Sequence, residues 1–320
     1  MRKLLVVMAL VAAGCGDDTT AGGLDMTAVG DMAVPDLSMG ATTARGEELV
    51  KHLLLCGSCH TTPDATTGNP STNPNDFLAG GKKFTVALGG DAGSVTVYAP
   101  NLTPDNATGL GTWTLGQIAD AVTVGVDDQG MPLWPTMPYQ RFANLTTDDA
   151  ASIALYLKSL APQNHAVTED TGHPTLASTA FDFTTLPHTT LLATDPAYAS
   201  AERGRYLANL GCVSCHSPTG GPPTGVDASK AYAGGRSFGG GVKSANLTPD
   251  ATGLAGWTIA QIIATLKTNQ EKGTGVMLLP VMPGGADQLG GLFDDDLTDL
   301  ATFIHTLPPV VNGPFGHPDM

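Results

Sequence analysis

The stretch 56–60 reads Cys-Gly-Ser-Cys-His, and the stretch 212–216 reads Cys-Val-Ser-Cys-His. Two thiols separated by two residues can each form a thioether with one vinyl group of a haem, and the adjacent imidazole can supply an axial bond to its iron. The pattern therefore predicts two covalently bound haem c groups. The predicted attachment residues are Cys56, Cys59, Cys212 and Cys215, and the predicted axial histidines are His60 and His216.

Around these two motifs the chain repeats one order of landmarks. Arg-Gly precedes the first motif at 45–46 and the second at 203–204. Ala-Gly-Gly follows at 79–81 and again at 233–235, and Asn-Leu-Thr-Pro-Asp follows at 101–105 and again at 246–250. Internal repetition over this length predicts two copies of one structural unit.

Both copies also contain the same helix signals. Thr114 precedes Gln117 by three residues, as Thr258 precedes Gln261, and this spacing is that of a capping box at a helix start. Apolar residues at helical spacing follow each box and recur in 153–160 and 300–307, which end before prolines. In the first copy alone, β-favouring residues at 84–88 and 94–98 flank a glycine-rich turn, which predicts a small hairpin.

Each copy offers one methionine at an equivalent place. Met137 and Met282 are each followed by proline and lie equally far beyond the Asn of Asn-Leu-Thr-Pro-Asp, whereas Met131 aligns with Val276. Methionine sulfur opposite a histidine fills the sixth position on a haem iron and raises its reduction potential. We therefore predict Met137 and Met282 as the sixth iron ligands. The alternative is a core methionine that packs on the haem without bonding iron.

These motifs, together with the segments 133–139 and 145–149, resemble those of class I cytochromes c, and the resemblance runs from Arg45 to about Pro309 except in the linker. The pair of repeats is similar to the cytochrome c subunits of bacterial membrane-associated alcohol and sugar dehydrogenases. The resemblance implies an all-α fold of two tandem class I cytochrome c domains, each with short helices and long loops around one haem. It also implies that each axial imidazole donates to a backbone carbonyl, which we expect near Pro63 and Pro218.

The N-terminus has the features of an export signal. Met1-Arg2-Lys3 is followed by an apolar run at 4–13, which is too short to span a bilayer. Cys15 follows small residues, as in the lipobox of bacterial lipoproteins. We predict an exported protein on the periplasmic side that is held at the membrane by acylated Cys15 alone; the alternative is a free thiol in an ordinary signal.

The predicted organisation follows from these features. It comprises a lipoprotein signal peptide at 1–15, a disordered tether at 16–44, cytochrome c domain 1 at 45–161, an interdomain linker at 162–198, cytochrome c domain 2 at 199–311 and a tail at 312–320.

The charge of the chain limits its partners. The formal net charge is −15, which excludes nucleic acid as a partner. The acidity favours a basic or neutral docking protein, or it serves only to keep the protein in solution.

Two haems with histidine and methionine ligands predict an electron carrier and not an enzyme. The expected partners are redox proteins: a donor such as a dehydrogenase, and a downstream cytochrome or oxidase. The alternative is a di-haem enzyme, such as a peroxidase or a sulfur-compound oxidase with one reactive haem, which would need an exchangeable ligand or a different one. The spare histidines that could serve are His52, His165, His173, His188, His305 and His317.

Overall fold

A computed structural model describes residues 40–88, 93–168, 170, 174, 179–221, 224–278, 282–285 and 287–313. The predicted signal peptide with Cys15, nearly all of the predicted tether, His173 and His317 lie outside the described residues. Within these ranges, no helix combines the length and the apolar character needed to cross a membrane.

The secondary structure repeats in the two halves of the chain. The first repeat contains α1 (Thr43–Glu48), which continues as a π-helix (Leu49–Leu53), then α2 (Gly57–His60), β1 (Lys83–Ala87), β2 (Ser94–Tyr98), α3 (Leu115–Thr123), α4 (Tyr139–Phe142) and α5 (Thr147–Ser159). The second contains α6 (Tyr198–Gly211), β3 (Ser237–Gly239), β4 (Val242–Lys243), α7 (Ile259–Thr268) and α8 (Asp294–His305). Short 3-10 helices cover Pro74–Asp76, Ala228–Lys230, Glu271–Gly273 and Leu289–Gly291.

The predicted all-α fold is wrong, because each repeat contains an antiparallel hairpin. In the first hairpin, Phe84 pairs with Val97 and Val86 pairs with Val95, so the strands form where β-favouring residues were noted in the sequence. The second hairpin was not expected from the sequence. It is short and closes through Gly240 and Gly241, both with positive φ.

The predicted capping boxes are confirmed at the starts of α3 and α7. The Thr114 hydroxyl accepts from the Gln117 amide at 3.2 Å, and the Gln117 side chain accepts from the Thr114 amide at 2.8 Å. The equivalent distances at Thr258 and Gln261 are 3.2 and 2.9 Å. Each box fixes the start of a helix that buries one apolar face against the core.

The Arg-Gly landmark marks a close crossing of the first and last helices of each repeat. A Cβ atom on Gly46 would lie 1.9 Å from the Ser152 carbonyl oxygen, and one on Gly204 would lie 1.9 Å from the Asp299 carbonyl oxygen. Only glycine permits this approach. The preceding arginines also bind the last helices, since Arg45 and Arg203 each donate through two nitrogens to one carboxylate, Asp149 or Asp299.

The two repeats exchange equivalent contacts. Glu48 and Tyr206 occupy the same position after Arg-Gly in α1 and α6. The Glu48 carboxylate accepts from the Phe293 amide at 2.6 Å, at the start of α8, and the Tyr206 hydroxyl accepts from the Thr146 amide at 3.1 Å, at the start of α5. The first helix of each repeat therefore satisfies a backbone donor at the start of the other repeat's last helix.

The linker segment contacts both repeats. The carbonyl of Gln163 accepts from Asn101 at 2.8 Å, and the amide of Thr190 donates to the Thr306 carbonyl at 2.8 Å. The two repeats belong to one compact unit, and their division into two tandem domains stays a prediction. The boundaries given for the individual segments stay predictions.

A buried cluster of charge joins the repeats beside these contacts. The Arg45 guanidinium binds three carboxylates, those of Glu48 at 2.7 Å, Asp149 at 2.8 Å and Asp296 of the second repeat. Burial, and then the nearby charge of Asp296, raise the pKa of Glu48 from its ordinary value of 4.5 to about 7. The folded protein therefore binds a proton at Glu48 more tightly than the unfolded chain does.

We expect Glu48 to make the free energy of unfolding fall as pH rises from about 4.5 to about 7. The shift corresponds to about 3 kcal/mol at most, which is present below pH 4.5 and lost as pH rises through the folded-state pKa. Urea denaturation of the haem-loaded wild type and of Glu48→Gln between pH 4.5 and 8 measures this loss. The wild type should lose stability relative to the variant as pH rises, whereas Glu47→Gln, which alters a half-exposed neighbour, should retain the wild-type slope. Parallel slopes for wild type and Glu48→Gln would contradict the assignment.

Candidate haem sites

Each Cys-x-x-Cys-His motif forms one tight turn that brings its side chains together. The amide of His60 donates to the Cys56 carbonyl at 2.9 Å, and the amide of His216 donates to the Cys212 carbonyl at 2.9 Å. The four motif cysteines are free thiols and form no disulfide. They are therefore available for thioether bonds.

Each motif histidine is oriented by a backbone carbonyl. Nδ1 of His60 lies 3.0 Å from the Pro100 oxygen, and Nδ1 of His216 lies 2.9 Å from the Ala245 oxygen. Since a carbonyl can only accept, Nδ1 carries the proton and Nε2 keeps its lone pair for a metal. Burial lowers the pKa of both histidines, which favours the neutral imidazole that binds iron.

The expected acceptors near Pro63 and Pro218 are wrong. The true acceptors are the residues directly before the two Asn-Leu-Thr-Pro-Asp segments. They lie far from the histidines in sequence, so only the tertiary structure brings them into contact. The sequence contained one signal for these acceptors, because Asn-Leu-Thr-Pro-Asp recurs exactly and in the same order in both repeats.

A short backbone pairing positions these carbonyls. The Gly81 amide donates to the Ala99 carbonyl at 2.8 Å, and the Leu102 amide donates to the Leu78 carbonyl at 2.8 Å. In the second repeat, the Gly235–Ser244 and Leu247–Tyr232 hydrogen bonds have lengths of 2.9 and 2.8 Å. The Ala-Gly-Gly and Asn-Leu-Thr-Pro-Asp segments thus lie on opposite sides of one short backbone pairing.

The middle glycine of Ala-Gly-Gly allows this pairing to lie against the histidine. Gly80 has φ +81° and donates to the His60 carbonyl at 2.6 Å; Gly234 has φ +72° and donates to the His216 carbonyl at 2.7 Å. A Cβ atom on Gly80 would lie 2.6 Å from the Pro100 carbonyl carbon. A side chain there would therefore displace the carbonyl that orients His60.

Asn101 and Asn246 connect the carbonyl-bearing segments to the chain beyond the last helices. The side-chain oxygen of each accepts from a threonine amide two residues later at 2.9 Å. The side-chain nitrogens donate to the carbonyls of Gln163 and Val310, both at 2.8 Å. The end of each repeat thereby fixes the segment that touches its histidine.

The first site is a cavity of about 710 Å³ between these elements. Cys56, Cys59, His60 and Met137 all line it, and most of its other walls are apolar, with Leu157 among them. Burial raises the pKa of Cys56 to about 12, so this sulfur lies in surroundings that favour a neutral group such as a thioether. The volume, the apolar walls and the donor set fit a covalently bound haem.

The second site contains the same donor types. Cys212 and His216 are buried, Met282 packs against the core, and burial raises the pKa of Cys212 to about 12. The turn after each methionine is also the same, since the amides of Tyr139 and Gly284 donate to the carbonyls of Met137 and Met282 at 2.9 Å. This equivalence holds although the sequences diverge after the Met-Pro step. The assignment of both methionines as iron ligands stays a prediction.

Three spare histidines have other contacts. Nδ1 of His52 lies 2.9 Å from the Gln288 carbonyl oxygen, Nδ1 of His165 lies 2.8 Å from the Ala79 oxygen, and His188 pairs with Glu202 at 3.1 Å. Among the described residues that line the first cavity, His60 is the only histidine. The arrangement there therefore favours one axial histidine opposite a methionine.

Comparisons with known proteins agree with this geometry. Residues 201–308 match the family model for cytochrome c. The chain is 29% identical to a "Diheme cytochrome c-type" protein of Cereibacter sphaeroides, over 86% of this chain and 90% of that protein. It is 30% identical to the cytochrome c subunit of a quinone-dependent alcohol dehydrogenase of Gluconobacter oxydans, over 89% of this chain and 60% of that subunit.

A third relative is the cytochrome subunit of a fructose dehydrogenase from Gluconobacter japonicus, 25% identical over 79% of this chain. The chain spans 50% of the length of that subunit. It therefore covers about half to three-fifths of the two dehydrogenase subunits, and nine-tenths of the di-haem relative.

The glycine beside His60 can be tested with a matched control. Gly80→Ala and Gly93→Ala both place alanine at positive φ, +81° and +78°, but Gly93 has open space around its Cβ position. We expect Gly93→Ala to cost only the backbone strain, about 1–2 kcal/mol of unfolding free energy. Gly80→Ala should cost more and should also change the absorption spectrum of one haem, because it displaces the Pro100 carbonyl. Equal losses of stability with unchanged spectra would show that this carbonyl does not depend on Gly80.

Proposed function

We propose that this chain, which is similar to a di-haem cytochrome c and to dehydrogenase cytochrome c subunits, binds two haem c groups and passes single electrons between redox protein partners. The proposal rests on one observation, which is that the two motif histidines have the same surroundings. Each follows a Cys-x-x-Cys pair, and each donates Nδ1–H to a carbonyl held by the same backbone pairing.

The residues of each site have distinct tasks in this function. A bound haem supplies one-electron chemistry through the ferric and ferrous states of its iron. The cysteines would hold the macrocycle through thioether bonds, and the carbonyl bond at Nδ1 holds the imidazole in one tautomer and raises its basicity. The methionine would close the remaining position, which leaves no open site for a substrate. Apolar walls exclude water and so limit the rearrangement that accompanies each electron.

The methionine assignment is tested by substitution. Met137→Ala and Met282→Ala should each remove the Met-to-iron charge-transfer absorption of one ferric haem and lower the reduction potential of that haem. The measurement is a ferric spectrum and a redox titration of each variant, after the haem content of the wild type has been shown to be two per chain.

Two other methionines serve as controls for this test. Met131→Ala and Met277→Ala replace side chains that are 46% and 61% exposed in the neighbouring loops. Both controls should retain the wild-type spectrum and potentials. If Met137→Ala and Met282→Ala behave like these controls, neither methionine binds iron.

We further propose that the protein works on the periplasmic side, held at the membrane by acylated Cys15, and accepts electrons from a dehydrogenase. The charged start and the apolar run at 4–13 support export. The dehydrogenase is supported by the relatives whose names describe them as cytochrome subunits of alcohol and fructose dehydrogenases.

Purification of the native protein from membranes tests location and partner together. The wild type should fractionate with membranes and co-purify with a dehydrogenase. Its processed N-terminal residue, Cys15, should carry the added mass of a lipid. Cys15→Ser should shift the protein to the soluble fraction while both haems remain. A water-soluble wild type without lipid would contradict the anchor, and a membrane-bound protein that isolates without any dehydrogenase would contradict the proposed donor.

A further inference from the structure

Arg141 is the side chain that connects the two haem sites. It belongs to α4 of the first repeat and lines the 710 Å³ cavity of the first site. Its Nη1 donates to the hydroxyl of Ser214, which lies between the two cysteines of the second motif. The guanidinium also lies over the Phe142 ring, 5.0 Å from its centroid, which helps to fix its position.

The guanidinium of Arg141 has no ion-pair partner among the described carboxylates. Among the residues that the structure describes, neither Arg141 nor its neighbour Arg236 forms an ion pair, and Nε of Arg141 is buried without a hydrogen-bond partner. This is unusual for a chain with 30 acidic and 15 basic side chains. Burial lowers the pKa of Arg141, but a guanidinium stays protonated in proteins.

The charge also acts on the attachment sulfurs of both sites. Arg141 lines the same cavity as Cys56 of the first motif, and its hydrogen bond to Ser214 places it beside Cys212 and Cys215 of the second. These sulfurs are the points at which the two haems would be bonded. A single cation therefore lies within electrostatic range of both haem attachment sites.

We propose that Arg141 is a shared electrostatic group that raises the reduction potentials of both haems. The inference rests on the proposed two-haem function. Reduction adds one electron to each ferric iron and makes or breaks no bond, so a fixed positive charge nearby stabilises the ferrous product. The effect grows as solvent screens the charge less, and Arg141 is half-buried with its Nε shielded from solvent.

The test is a redox titration of the haem-loaded full chain, with a chemical reductant and mediators, in wild type and variants. Arg141→Gln removes the charge and should lower both midpoint potentials. A roughly tenfold change in each reduction equilibrium, about 59 mV for a one-electron couple, is the expected order of magnitude. Arg141→Lys keeps the charge and should hold both potentials much closer to the wild type.

Two further variants separate charge from structure. Ser214→Ala removes the hydrogen bond and leaves the cation, so its potentials should stay near the wild type. Lys230→Gln removes one exposed positive charge in the second repeat and should shift neither potential appreciably. Equal shifts in Arg141→Gln and Arg141→Lys, or a shift in only one haem, would overturn the proposal.

Haem content separates this inference from the proposed function. A wild type that holds fewer than two haems would overturn the two-haem function itself. A wild type and an Arg141→Gln variant that both hold two haems, with the same pair of potentials, would overturn only the role of Arg141.

Discussion

The structure depends on one hydrogen bond in each repeat, between the imidazole of the Cys-x-x-Cys-His motif and a carbonyl far along the chain. The bond from His60 to Pro100 decides which ring nitrogen faces the cavity. For the carbonyl to reach the ring, two backbone segments must pair closely, and the pairing requires glycine at position 80. The carbonyl-bearing segment is in turn tied by Asn101 to the chain beyond α5. Residues from the whole repeat thus together determine which ring nitrogen of His60 carries the proton.

Sequence reasoning succeeded where the information is local. The capping box at Thr114 needs only the residue three positions later, and the first hairpin needs only β-favouring residues around a turn. It failed where contacts join distant segments. The carbonyl acceptor of His216 and the carboxylate that binds Arg203 cannot be read from spacing, because many polar groups along the chain could serve equally well. The all-α expectation failed for a related reason, since the second hairpin is too short and too rich in glycine to show a strand pattern.

The repeats diverge in the segments that follow Met137 and Met282, and both segments contact the other repeat. Among the described residues, a helix directly after the Met-Pro step is present only in the first repeat, and it carries Arg141 to Ser214 of the second motif. The second repeat has a glycine-rich segment instead, and the residues that follow it reach α1 and its π-helical extension, where the Gln288 carbonyl meets His52 and the Phe293 amide meets Glu48. Symmetry is retained in the parts that hold each histidine. It is also retained where Glu48 and Tyr206 bind the amides of Phe293 and Thr146, and it is lost in the segments that follow Met137 and Met282.

Arg45 in α1 and Arg141 in α4 have opposite electrostatic surroundings in this acidic chain. Arg45 at the start of α1 binds three carboxylates, and this cluster joins the two repeats. Within it, burial and then the charge of Asp296 raise the pKa of Glu48. Asp127 and Asp170 line the same cavity as Arg141, and both accept from backbone amides. Among the described residues, Arg141 forms no ion pair with a carboxylate. Because a charge matters most where water does not screen it, the cation near the attachment cysteines has more influence on an electron than the larger number of acidic groups outside. The potentials of the haems therefore depend on the local arrangement around Arg141 more than on the net charge of the chain.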